Sequence, residues 1–88
     1  LHQNYPNPFN PETSFQIDLP KTSMVTISVY NIRGQKVATL LSKNLNSGSH
    51  KIKWNGYASH GNSLSSGMYF YEMVTENYHA IKKLILVK

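Results

Sequence analysis

Hydrophobic and polar residues alternate with a period of two through most of the chain, and no stretch shows the helical period. Phe15, Ile17 and Leu19 alternate with Ser14, Gln16 and Asp18 until Pro20 stops the run, which predicts a half-buried strand over 14–19. Val25, Ile27 and Val29 repeat the pattern against Thr26, Ser28 and Tyr30. Asn31-Ile32-Arg33-Gly34 follows, a four-residue loop whose glycine is free to take a positive φ, so a hairpin return is expected. Residues 36–41 are β-branched and apolar with broken alternation, as in a bulged strand or one buried on parts of both faces; the register stays open. After an Asn46-Ser47-Gly48 turn, His50, Ile52 and Trp54 alternate with Lys51, Lys53 and Asn55, which assigns the tryptophan to the buried face.

Residues 55–67 are rich in turn formers and predict the longest loop, with Leu64 as its one anchor. Gly67 then introduces Met68-Tyr69-Phe70-Tyr71-Glu72-Met73-Val74-Thr75, whose aromatic and β-branched residues favour a strand. Glu76-Asn77 turns the chain into a last run over 79–87, where Leu84-Ile85-Leu86-Val87 is apolar at both alternating positions. At the other end, Pro6, Pro8 and Pro11 push their predecessors toward extended geometry. That stretch reads as a stiff, polyproline-like lead-in ending in an Asn10-Pro11-Glu12-Thr13 turn. It is either a linker or a docked edge segment, and Tyr5 and Phe9 favour docking. Six strands plus this possible seventh, with frequent turn signals, predict a sandwich or barrel. The expected organisation is one domain over 1–88 with residues 1–11 as the lead-in.

Length narrows the functions open to such a fold. A chain of 88 residues supports one modest core and no cleft between subdomains. Without cysteine it has no disulfide frame, thiolate metal site or cysteine nucleophile. No apolar run reaches the ~20 residues of a membrane helix, and residues 1–9 do not resemble a signal peptide, so an export signal would lie upstream. The net charge of +5 comes from scattered residues, nearly all lysine, without the clustered arginines and aromatics of a nucleic-acid surface. Lysines among apolar residues read instead as solvent faces and guarded edges.

Candidate chemistry is sparse. The carboxylates Glu12, Asp18, Glu72 and Glu76 have no acid–base or cation-loop spacing. His2, His50, His60 and His79 lack the short spacings of zinc ligands. Ser63, Ser65 and Ser66 neighbour His60 but form no nucleophile elbow, and Gly56, Gly61 and Gly67 precede no helix that could cradle phosphate. No enzyme, cofactor or metal is expected. One binding reading stays open: Tyr57, Tyr69, Phe70, Tyr71 and Tyr78 with Trp54 could form a sugar-stacking platform, although Trp54 at an inward position is more often core.

The ordered motifs resemble a known family. Asn4-Tyr5-Pro6-Asn7-Pro8-Phe9-Asn10-Pro11 opens the series, followed by Val29-Tyr30-Asn31, Gly34, Gly48, Trp54-Asn55-Gly56 and Gly61. Ser66-Gly67-Met68-Tyr69-Phe70-Tyr71 and the closing Lys82-Lys83-Leu84-Ile85-Leu86-Val87-Lys88 complete it. Together they are similar to the type A C-terminal sorting domains of the type IX secretion system of Bacteroidetes. The half from Trp54-Asn55-Gly56 to Gly67-Met68-Tyr69 is shared with the immunoglobulin-like domain of flagellar hook-capping proteins; the two ends discriminate. Asn55 stands where the family commonly has aspartate, and its amide still caps a turn.

The resemblance implies an all-β, immunoglobulin-like antiparallel β-sandwich of about seven strands. It also implies a cargo attached upstream, an outer-membrane translocon or shuttle as partner, and removal by a sortase-like peptidase cutting before Leu1. The cargo would pass through the periplasm and outer membrane to a secreted or cell-surface destination. Recognition is assigned to the terminal strand, Lys82, Lys83, Leu84, Ile85, Leu86, Val87 and Lys88, with Gly67 and Tyr69 at the preceding turn as a secondary element. A final strand at a sheet edge would offer backbone groups for pairing with a partner. The competing reading is an accessory carbohydrate- or protein-binding immunoglobulin-like module of a secreted enzyme.

Overall fold

The computed structural model describes residues 1–8 and 12–87. The two-residue periodicity becomes six strands: β1 (Thr13–Leu19), β2 (Ser23–Asn31), β3 (Lys36–Leu45), β4 (Gly48–Trp54), β5 (Gly67–Val74) and β6 (His79–Leu86). They divide into a small sheet, β1-β4, and a four-stranded sheet in the order β3-β2-β5-β6, every pairing antiparallel. Each inward set of apolar residues meets its counterpart across the gap between the sheets. Phe15, Ile17, Leu19 and Trp54 from the small sheet pack against Val25, Ile27, Val29, Tyr71, Met73 and Leu84 from the large one. The Phe15 and Tyr71 rings lie 4.5 Å apart, and Trp54 meets Tyr69 edge-on at 5.9 Å, a tilted and a T-shaped contact of the kind the ring quadrupoles favour.

The expected β2–β3 hairpin forms on Asn31, whose carbonyl accepts from Gly34 N–H at 3.0 Å while Gly34 takes φ +82°. The broken alternation in β3 is a pair of register shifts, at Ile27/Ser28 and Val29/Tyr30, and the strand continues to Leu45, beyond the predicted 41. Strand β4 starts after the expected turn but joins the other sheet, so β3 to β4 is a crossing between layers.

The start of the chain departs from a uniformly extended lead-in. Residues 6–8 bend, with Tyr5–Pro6 and Asn7–Pro8 cis, while the residues before them lie beside β1. Tyr5 and Ser14 exchange backbone bonds at 2.6 and 3.1 Å, and His2 N–H donates to Gln16 at 2.9 Å. The backbone of residues 2–5 thus runs along β1. Tyr5 is 81% exposed, and the anchor is Asn4, buried in a polar knot in which its amide donates to Thr13 Oγ1 and to the Pro6 carbonyl. Phe9 and the Asn10-Pro11 part of the predicted turn lie outside the described residues.

Candidate functional site

Among the described strands β6 lies at the edge of its sheet, paired with β5 from Gly67↔Leu86 to Val74↔His79. Its alternation divides the residues expected to carry recognition. Leu84 and Leu86 point into the core, each about 2% exposed or less, whereas Lys83 is exposed and Ile85 half-buried on the opposite register. Lys82 is half-buried at an inward register position beside Tyr71. Val87 is exposed just beyond the strand, and Lys88 lies outside the described residues. At the preceding turn Gly67 opens β5, but Tyr69 is buried and donates its hydroxyl to the Ser65 carbonyl at 2.7 Å, bracing the loop from within.

The edge of β6 is partly occupied. Ile85 N–H donates to Asn7 Oδ1 at 3.0 Å, and the Lys83 carbonyl accepts from Gln3 Nε2 at 2.9 Å. In an antiparallel strand the groups of alternate residues point to one side, so these two lie on the side away from β5. Two lead-in side chains thus occupy the place of a neighbouring strand at the C-terminal half of β6. The other strand edges are also blunted. Ser59 N–H donates to the Val37 carbonyl and Ser59 Oγ accepts from Thr39 N–H, covering β3, while Lys51 and Lys53 lie along β4.

The outer face of the large sheet carries what periodicity alone passed over. Cross-strand pairing places Lys36, Tyr30, Phe70 and Lys83 in one row across all four strands. Glu72 pairs with Ile81 in the next row, and Met68 with Ile85 on the other side. Ile81 is 53% exposed, and Ile32, in the β2–β3 loop, 71%. A groove of about 360 Å³ runs between Tyr30, Ile32, Phe70 and Ile81. The signal was present in the double apolar run of 84–87 and in Met68-Tyr69-Phe70-Tyr71, where both faces are apolar.

Two acid–histidine pairs sit on opposite faces. On the large sheet Glu72 accepts from Tyr30 Oη at 3.0 Å through one oxygen and meets His79 Nε2 at 2.5 Å through the other. The His79 bond chiefly holds Glu72 below its ordinary carboxylate range, while burial and then Glu72 push the Tyr30 phenol up. On the small sheet Asp18 pairs with His2, and it accepts from Ser49 at 2.7 Å and Gln16 at 2.9 Å. Those three bonds, His2 first, hold Asp18 well below the usual range. Among the described residues no group of three or more acidic, histidine or cysteine residues is arranged to hold a metal ion. Among the described residues no helix is long and apolar enough to cross a membrane.

The aromatics considered as a platform do not gather. Trp54, Tyr69 and Tyr71 are core, Tyr57 follows the end of β4, and Tyr78 lies in the β5–β6 turn.

A family model described as the secretion system C-terminal sorting domain matches residues 3–88. No curated protein matches the chain in sequence. Among solved structures, dimeric latent PorU from Porphyromonas gingivalis superposes with a TM-score of 0.79 at 23% identity, over 97% of this chain and 9% of PorU. PorZ from the same organism, described as an essential surface component of the type-IX secretion system, gives 0.63 at 17% identity over 98% of this chain and 11% of that one. FlgD from P. aeruginosa gives 0.69 at 26% identity, covering 84% of this chain and 61% of FlgD. The chain thus spans about a tenth of PorU and PorZ, and its likeness to them is one of fold.

Proposed function

Because this chain belongs to the secretion system C-terminal sorting domain family, we propose that it is a non-catalytic C-terminal sorting signal of the type IX secretion system. In this reading it directs a larger cargo across the outer membrane to the cell surface or medium. The observation that carries the reading is the extent of the family match, residues 3–88, which takes in both the proline-asparagine opening and the basic-apolar close. The partners are an outer-membrane translocon or shuttle and a sortase-like peptidase that cuts upstream of Leu1. The cargo's own activity lies outside this segment, and β6 with the turn at Gly67 presents the recognition element.

Fusing the chain behind a periplasmic reporter, in a host that has the secretion machinery, tests this directly. The fusion is expected in the medium or at the cell surface, and the reporter alone in the periplasm. Ile85→Asp alters the outward register of β6 without touching the buried Leu84 and Leu86, and is expected to retain the fusion in the periplasm. A wild-type fusion that stays in the periplasm would refute the sorting role.

A further inference from the structure

The outer face of the four-stranded sheet is apolar at its centre, and among the described residues Ile32, Met68 and Ile81 on it stay exposed. Ile81 and Ile32 are more than half exposed, Met68 is 40% exposed, and Tyr30 and Phe70 stand beside them as a cross-strand aromatic pair. A sheet face left to solvent normally alternates to polar, and contiguous exposed apolar surface marks an interaction site. The charge pattern narrows the occupant. Lys36 and Lys83, both exposed, close the two ends of the Tyr30–Phe70 row, their Cα atoms three strand spacings or about 14 Å apart. Among the described residues the carboxylate on this face is Glu72, and both its oxygens are engaged, by Tyr30 and by His79.

We infer that this face, centred on Tyr30, Phe70 and Ile81 and flanked by Lys36 and Lys83, docks a partner protein that presents an apolar or aromatic centre between carboxylates. The inference rests on the sorting reading and gives it a surface. The edge of β6 is occupied at Lys83 and Ile85 by Gln3 and Asn7, while Ile81 and Lys83 on the outward face of the same strand are exposed. Apolar contact supplies affinity at the centre, and the lysines select an acidic rim and steer encounter.

Ile32 and Lys36 lie off β6, so a partner that read only the terminal strand would ignore them. In the reporter fusion, Ile32→Glu and Lys36→Glu/Lys83→Glu are each expected to lower export on the order of tenfold, as for interface anchors. Melting temperature is expected to stay unchanged, and Lys51→Glu, on the other sheet, to leave export as it was. The lysine pair is exposed, so that variant tests the face even if Ile32→Glu perturbs its loop. Lys36→Arg/Lys83→Arg is expected to restore export. Wild-type export by both acidic variants would overturn this inference and leave the sorting role standing, whereas failure of the wild-type fusion itself would remove both. Vesicles of phosphatidylethanolamine and phosphatidylglycerol provide the remaining arm. Binding to them that is lost in Lys36→Glu/Lys83→Glu would make the occupant a membrane and overturn the assignment to a protein.

Discussion

At the residue scale, polar side chains do unusual structural service in a chain without disulfides. Tyr71 is fully buried, yet its hydroxyl donates to the His2 carbonyl at 2.8 Å, while burial pushes its phenol up to about 12. Asn4 and Thr13 are likewise buried and satisfied by each other and by the Pro6 carbonyl. An unpaired buried group would cost about 1–3 kcal/mol, so these bonds fix where the lead-in sits. Asp18 supplies a pH test. Its folded pKa is depressed from an ordinary 3.8, so its contribution to stability is complete above that value and is lost as the pH falls below it. The wild-type melting temperature should therefore drop as the pH is lowered from 5 to 2 (about one unit above and two below the ordinary carboxylate value). Asp18→Asn should lie lower near neutrality and fall less steeply; parallel curves for the two proteins would contradict the assignment.

At the scale of elements, the terminal strand has three separable sides. Its inward side, Leu84 and Leu86, belongs to the core; its outward side joins the face of the large sheet; its free edge is partly held by Gln3 and Asn7. Asn7→Ala removes the acceptor of the Ile85 amide, which then faces water. Hydrogen exchange at Ile85 should quicken by about tenfold or more, as for a locally opened bond, while amides of β2 keep their protection. Exchange at Ile85 unchanged by the substitution would mean that the lead-in does not guard this edge. The same element explains an ambiguity in the sequence. A run apolar at every position, 84–87, fits a strand buried on both faces, but here Leu84 and Leu86 are buried while Ile85 is half-buried and Val87 exposed.

At the scale of the molecule, the two sheets depend on both chain ends. Leu1 packs against the core from one end and Leu84 and Leu86 from the other. Removing residues 82–88 takes away two fully buried leucines, each worth about 1.5–3 kcal/mol in burial alone, against a total stability of about 5–15 kcal/mol for a typical domain. The truncated chain is expected to lose its cooperative thermal transition in circular dichroism. Loss of export on this deletion then reports unfolding as well as recognition, which is why outward-facing substitutions are the sharper probes. A truncated chain that melts like the wild type would show that β6 is dispensable to the core.

The sequence by itself determined the inward faces of β1, β2 and the end of β4, because a pleated strand with one buried side must alternate, and Phe15, Ile17, Val25, Ile27, Val29 and Trp54 all lie where alternation puts them. It also determined the β2–β3 turn, since Gly34 adopts a positive φ without steric cost. Family motifs at the two ends carried the sorting assignment, which no spacing of reactive groups could have supplied. Tertiary structure alone decided that β4 leaves β3 for the other sheet and that Asn4, rather than Tyr5, anchors the lead-in. It alone aligned Lys36, Tyr30, Phe70 and Lys83 in one row. The physical reason is common to these cases. Alternation fixes which side of a strand is buried, but partners across strands are set by register and pairing between residues far apart in the chain.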